Sequence, residues 1–146
     1  MNMIEVRVDD LTGMALNWAV SIVEGHSISV SVATKRFYRT DVGISAVIPQ
    51  PSTEWKQGGP LIQKYGVLLS PPKSMVHRNY GNFDERNGWY ESGVWGATIF
   101  GKERKHRRRS FEHPDQPLVA AMRAIVQFEL GDVVSVPAAL VEGGAQ

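Results

Sequence analysis

Two stretches of the 146-residue chain concentrate side chains that can do chemistry. The first is PSTEWKQGGPLI, residues 51–62. Ser52, Thr53, Trp55 and Gln57 put two hydroxyls, an indole and a carboxamide within six positions, suited to hydrogen-bonding and stacking a polar ligand. Gly58 and Gly59 follow, and a glycine pair can turn successive backbone N–H groups toward an anion. The plainer reading is a turn: residues 52–57 make one helical turn capped by Ser52 or Thr53. Gly58-Gly59 then stops it, and Pro60 keeps the helix from resuming. The second stretch is KERKHRRR, residues 102–109, with six basic residues against one glutamate. Arg104, Lys105, Arg107, Arg108 and Arg109 can each meet a phosphate, and Phe111 can stack on a base. Arg36, Phe37, Tyr38 and Arg39 repeat that mixture of cations and aromatics. A solvated, charged loop explains the basic run equally simply.

Catalytic signatures are missing. There is no cysteine, which removes disulfides, thiolate nucleophiles and cysteine-ligated metals. The four histidines, at 26, 77, 106 and 113, fall in no metal-binding helix pattern. Asp9-Asp10 and Asp84-Glu85 are adjacent pairs, and neighbouring side chains do not converge on one substrate atom. Ser52, Thr53, Ser70 and Ser74 are available hydroxyls, but none sits in a Gly-x-Ser-x-Gly elbow. Neither a phosphate-binding P-loop nor a dinucleotide glycine pattern is present. The residues therefore predict no catalytic group, no metal and no cofactor.

Composition bounds the rest. The chain is 42% apolar and 21% charged, with 16 basic and 15 acidic residues and a net charge of +1. Outside the basic run acidic residues outnumber basic ones, so the charge is balanced in sum but not in place. No stretch reaches the ~18 apolar residues of a membrane span. Glu5, Arg7, Asp9 and Asp10 make the first ten residues unlike a secretory signal. The expectation is a soluble cytoplasmic protein, monomer or homodimer, with one domain over residues 1–141 and a flexible tail over 142–146.

The elements that must position these groups follow from hydrophobic period. Ile4 and Val6 alternate in a short strand. Leu11, Ala15, Trp18 or Ala19, and Ile22 recur at helical spacing, predicting a helix over 12–24 that Gly25 caps, with Asp10 or Thr12 as its N-cap and Trp18 in the core. Ile28, Val30 and Val32 alternate with serines, and Val42, Ile44 and Ala46 alternate again, predicting a hairpin joined around 37–42. Pro49 and Pro51 end it. Strands are expected over 67–69 and 94–100, with a tight turn at Asn87-Gly88 inside the irregular stretch 70–93. Pro117 opens a helix whose apolar face is Leu118, Ala121, Ile125 and Phe128, closed by Gly131. Val133, Val134 and Val136 form a last strand up to Pro137. The fold class is α+β: two main amphipathic helices packed on a small, mostly antiparallel sheet.

Three blocks carry a resemblance. DLTGMALNWAVSIVEG (10–25), PSTEWKQGGPLIQKYG (51–66) and PLVAAMRAIVQFELGDVVSVP (117–137) resemble the NinX-like phage proteins, a family of unknown function. The family pattern maps onto Asn17, Trp18, Ser52, Thr53, Glu54, Trp55, Gln57, Gly58, Gly59, Pro60 and Arg123. The chain departs from it at Glu54, often aspartate in the family, and at Lys56, often small. The resemblance gives no match for the stretch 70–113, basic run included. The resemblance implies a small phage or prophage accessory protein made in the bacterial cytoplasm, and no reaction. If the central segment packs near the last helix, Ser52, Thr53, Trp55, Gln57, Gly58, Gly59 and Arg123 border one ligand pocket. The leading expectation is a non-enzymatic binder of a host protein or a small polar ligand such as a nucleotide. The alternative is a nucleic-acid-associated factor using residues 102–109, whose binding must weaken steeply with salt. A nucleotide-processing enzyme is the third.

Overall fold

A computed structural model describes residues 2–41, 48–72, 75–77, 89–91, 93–99, 111–113 and 115–141. The Asn87-Gly88 turn, the alternating 42–47 segment, the basic run and the tail over 142–146 lie outside them.

The chain opens with β1 (Met3–Arg7) and a single 3-10 turn, and Leu11 then leads into α1 (Gly13–Val23). Thr12 is the N-cap, in extended conformation, and Gly25 takes the left-handed conformation just after the end, φ 73°. That ending needs a residue without a Cβ, as the sequence anticipates. Next come β2 (Ile28–Ser31), β3 (Arg36–Arg39), α2 (Trp55–Tyr65) and β4 (Val67–Ser70). They are followed by β5 (Met75–His77), β6 (Trp89–Glu91), β7 (Trp95–Ile99) and β8 (Phe111–His113). The described chain ends with α3 (Pro117–Leu130), β9 (Val133–Pro137) and a last 3-10 turn.

All the described strand pairs are antiparallel, in four small sheets. β1 pairs with β9 from Met3 opposite Pro137 to Arg7 opposite Val133, which ties the start of the chain to its last strand. β2 pairs with β3, β5 with β6, and β7 lies between β4 and β8. Helices packed on small antiparallel sheets make a compact α+β arrangement.

At its centre is α3. Pro117 sits at its first position, where a missing N–H costs little, and every residue over 118–126 is buried. The helix packs against α1, α2, β4, β7, β8 and β9, so it needs apolar side chains around its whole circumference rather than along one stripe. The expected face holds at Leu118, Ala121 and Ile125, while Phe128 is exposed near the free end. α1 contributes Ala15, Leu16, Ala19 and Val20 to the same core, with Asn17 and Ser21 also buried and Ile22 turned outward. Trp18 packs against this core half-buried.

Two expectations are corrected. The β2–β3 hairpin turns at residues 32–35, not around 37–42, and Lys35 takes the left-handed position at φ 58°. Phe37 explains the shift: opposite Val30 on β3 it is fully buried in the core, and so it belongs to a strand rather than a turn. It is thereby unavailable for the base stacking that the cation–aromatic pattern suggested.

The second correction concerns residues 52–57. The helix begins later, at Trp55, and runs through Gly58, Gly59 and Pro60 to Tyr65, where Gly66 closes it at φ 64°. Gly58 is present for space. A Cβ there would lie 2.4 Å from the Pro51 carbonyl oxygen and 2.7 Å from Leu118 Cδ2. Its absence lets α2 press against the preceding loop and α3, which brings Leu61, Ile62 and Tyr65 onto the core. That packing outweighs the one helical hydrogen bond that Pro60 cannot donate.

The two glycines should therefore respond in opposite directions. Gly58→Ala is expected to destabilise by about 1–3 kcal/mol through overpacking. Gly59→Ala meets nothing within 4 Å. It should be neutral or stabilising by about 0.5–1 kcal/mol, the helix propensity gained. Urea unfolding of the two single variants checks both signs.

Candidate functional site

The loop before α2 is fastened on both sides. The buried Asn17 Oδ1 accepts the Ser52 N–H at 3.0 Å. Gln57 Oε1 accepts the Gln50 N–H at 2.8 Å, and the Glu54 N–H donates to the Gln50 carbonyl, also at 2.8 Å. Pro49 and Pro51 are buried and have no N–H to satisfy, which is how an irregular loop can run against a core without orphaned donors. Held in this way, the loop lies between two concavities.

The larger is a cleft of about 500 Å³ between the end of α1, β3, the loop and α2. Val20, Pro49, Pro51 and Leu61 give it apolar walls, while Glu24, His26, Arg39, Lys56 and Gln57 bring polar groups to it. Glu24 is mostly buried. Its Oε2 accepts both Lys64 Nζ and the Tyr65 hydroxyl at 2.7 Å. Burial pushes the Glu24 carboxyl up, but the hydrogen bonds from Lys64 and Tyr65 outweigh it and hold the carboxyl below its ordinary value. Burial and the Glu24 hydrogen bond together raise the Tyr65 phenol far above its usual range, so it stays a donor. Arg39 meets Asp41 through Nε at 2.9 Å and Nη2 at 3.1 Å, a two-point contact that fixes the guanidinium plane and lowers the Asp41 carboxyl. His26 Nδ1 lies 3.9 Å from Asp41 Oδ2.

The smaller concavity, about 230 Å³, is lined by Ser52, Thr53 and Trp55 at the start of α2 and by residues 115–118 at the start of α3. The residues singled out from the sequence thus divide. Ser52, Thr53 and Trp55 border the small cavity, and Gln57 borders the large cleft. Successive helical residues are rotated by about 100°, so positions 55 and 57 leave α2 on nearly opposite sides. Gly58 is the contact between α2, the loop and Leu118, while Gly59 has no neighbour where its Cβ would be. Arg123 reaches neither concavity's lining. It is buried in α3, where its Nε donates to the Leu11 carbonyl at 2.8 Å. Burial lowers its guanidinium from the ordinary value, against the opposing pull of Asp9 and Asp10.

Sequence reasoning missed Glu24, His26 and Arg39 as cleft residues. The two-residue spacing of Arg39 and Asp41 is a legible ion-pair signal. Nothing local links Glu24 to Lys64, which are 40 positions apart. Arg104, Lys105, Arg107, Arg108 and Arg109 lie outside the described residues. Among those described, no three His, Asp or Glu side chains gather in a way that could hold a metal ion, and no helix is long and apolar enough to cross a membrane.

A buried central helix, small antiparallel sheets and a concavity on either side of one fastened loop define a small α+β protein. Residues 7–128 match the family described as bacteriophage P22, NinX, and the chain belongs to that family. The match takes in α1, the loop, α2 and all but the end of α3. No curated protein matches the chain.

Because the folded Glu24 carboxyl ionises below its ordinary value of 4.5, its ionised form contributes stability at neutral pH. That contribution should disappear as the pH falls from about 4.5 through the lowered folded value. Glu24→Gln is expected to lower the unfolding temperature at pH 7 and to flatten its fall in this acid window. Thermal unfolding of both proteins from pH 7 to pH 3 checks the sign.

Proposed function

We propose that this phage accessory protein works in the bacterial cytoplasm as a non-enzymatic binder of a small polar ligand, held in the cleft between α1, β3 and α2. The observation that carries the reading is the convergence of Glu24, His26, Arg39, Lys56 and Gln57 on one apolar-walled space of about 500 Å³. That volume is within the range of small-molecule sites, and such sites combine apolar walls with a few placed polar groups.

Three of these groups are also pre-positioned. Asp41 fixes Arg39 through Nε and Nη2, leaving Nη1, and both bonds to Glu24 fall on Oε2, leaving Oε1. Gln57 spends its oxygen on the Gln50 N–H, so its amide NH₂ is what it can offer a ligand. For Arg39, Glu24 and Gln57 little side-chain freedom remains to be lost on binding, which lowers the entropic cost. Cations at Arg39 and Lys56, on the same lining as a carboxylate acceptor at Glu24, suit a ligand that carries both an anionic group and a hydrogen-bond donor. A nucleotide has that pattern.

Native and denaturing mass spectra of gently purified protein, with thermal shifts against nucleotides and amino acids, test this directly. The expected result is a discrete extra mass lost on denaturation, or a saturable shift with one ligand class. The Arg39→Ala/Lys56→Ala double variant should lose either signal. Surface ion pairs contribute only about 0–1 kcal/mol, so the variant should still unfold cooperatively. Ligand retained undiminished by that folded variant would remove the cleft as its site.

A further inference from the structure

From the smaller concavity we infer a second binding site, one that takes a small oxyanion group, a phosphate or a carboxylate. Its walls are the first residues of two helices that converge there, α2 with 11 residues and α3 with 14. Neither N-cap side chain bonds its own helix: Glu54 and Gln116 occupy the N-cap positions in extended conformation and make no capping hydrogen bond. In α2 the Gln57 and Gly58 N–H groups already meet the Glu54 carbonyl, which leaves those of Trp55 and Lys56 as donors, and each helix N-terminus carries roughly half a positive charge. Here two such ends meet around one space of about 230 Å³.

A separate observation points to a ligand. Ser52 lines the cavity, is 1% exposed, and its hydroxyl is a buried side-chain oxygen with no hydrogen-bond partner among the described residues. Its backbone is already anchored by the Ser52 N–H bond to Asn17, so the hydroxyl has no part in holding the loop. A buried hydroxyl without a partner is unfavourable, and rotation about one bond lets it donate to an oxyanion seated beside it. Thr53 adds a second hydroxyl, engaged only in a 3.5 Å contact with the Gln50 carbonyl. Trp55, 55% exposed, supplies an aromatic face to whatever carries the anion. The opposing charge is Asp115, exposed on the same lining, whose carboxylate repels an anion and limits its affinity. The Asp115 and Gln116 N–H groups donate to His113 Nδ1 at 3.2 and 3.0 Å and the Ala120 N–H to the Gln116 carbonyl, so α3 has the Leu118 and Val119 N–H groups to offer.

Titration calorimetry with inorganic phosphate and with acetate, at constant ionic strength, distinguishes the two oxyanions. The unmodified protein should bind at least one of them saturably at millimolar concentration. Ser52→Ala keeps the Asn17 bond and removes the orphaned hydroxyl. It should leave the unfolding temperature of the ligand-free protein unchanged or raised, while weakening the oxyanion about tenfold, the value of one hydrogen bond to a charged group. Asp115→Asn should tighten binding severalfold. These opposite effects would assign the anion to this cavity and not to the Arg39 cleft. The inference is overturned by absence of saturable binding to both anions, by undiminished affinity in Ser52→Ala, or by weaker affinity in Asp115→Asn. A marked fall in the ligand-free unfolding temperature of Ser52→Ala would also overturn it, since the hydroxyl would then have a structural partner.

Discussion

α3 is buried through nine consecutive positions, 118–126, and one of them is an arginine. Removing a guanidinium from water is costly unless it gains hydrogen bonds and a compensating field. The Leu11 carbonyl accepts from Arg123 at 2.8 Å, and Asp9 and Asp10 supply opposing charge. The turn that leads into α1 is thereby fastened to the central helix, and α1 packs along α3 from a fixed start. Burial on every side also demands partners on every side. The sheets β4–β7–β8 and β1–β9 cover part of α3, and α2 must approach it closely enough that Gly58 can carry no side chain.

That approach determines where concavities can form. With α2 against α3 at Gly58, the preceding loop lies between α1 and the starts of both helices, and Asn17 and Gln57 fasten it there. The cleft on one side has charged groups already held by other charges, Arg39 by Asp41 and Glu24 by Lys64. The cavity on the other side has neutral hydroxyls, two helix starts whose N-cap side chains make no capping bond, and the carboxylate of Asp115 on its lining. These are different electrostatic environments a few residues apart. One loop can serve both because α2 turns neighbouring side chains to opposite faces.

Legibility in the sequence follows the range of the interaction. α1 and α3 announce themselves by apolar period, Pro117, Gly25 and Gly131, all local signals that the structure keeps. β9 reads from its own alternation of buried Val134 and Val136 with exposed neighbours. α2 was hidden because Gly-Gly-Pro has the lowest helix propensity of any local signal, and tertiary contact overrides propensity. The helical period was present all the same, in Gly58, Leu61, Ile62 and Tyr65, once a glycine is counted as a member of a packed face. Phe37 shows the same limit: its burial, not its neighbours' polarity, decides where the hairpin turns. The cleft depends on Glu24 meeting Lys64 and Tyr65 across some 40 residues, which no local pattern encodes.

The family motif separates by the same reasoning into what folding explains and what it does not. Asn17 and Gln57 hold the loop, Gly58 admits the helix contact, and Arg123 locks the start of α1. Each needs its particular chemistry for a packing reason. Trp55 does not: a tryptophan 55% exposed at the first position of a helix contributes little to the core and leaves a large apolar face in water. The Ser52 hydroxyl, buried and unbonded, is also unaccounted for by stability, since alanine would fill its place without the penalty. Both border the same cavity. Two residues that a stable fold does not require thus gather around one space, and that coincidence is what supports the second site inferred above.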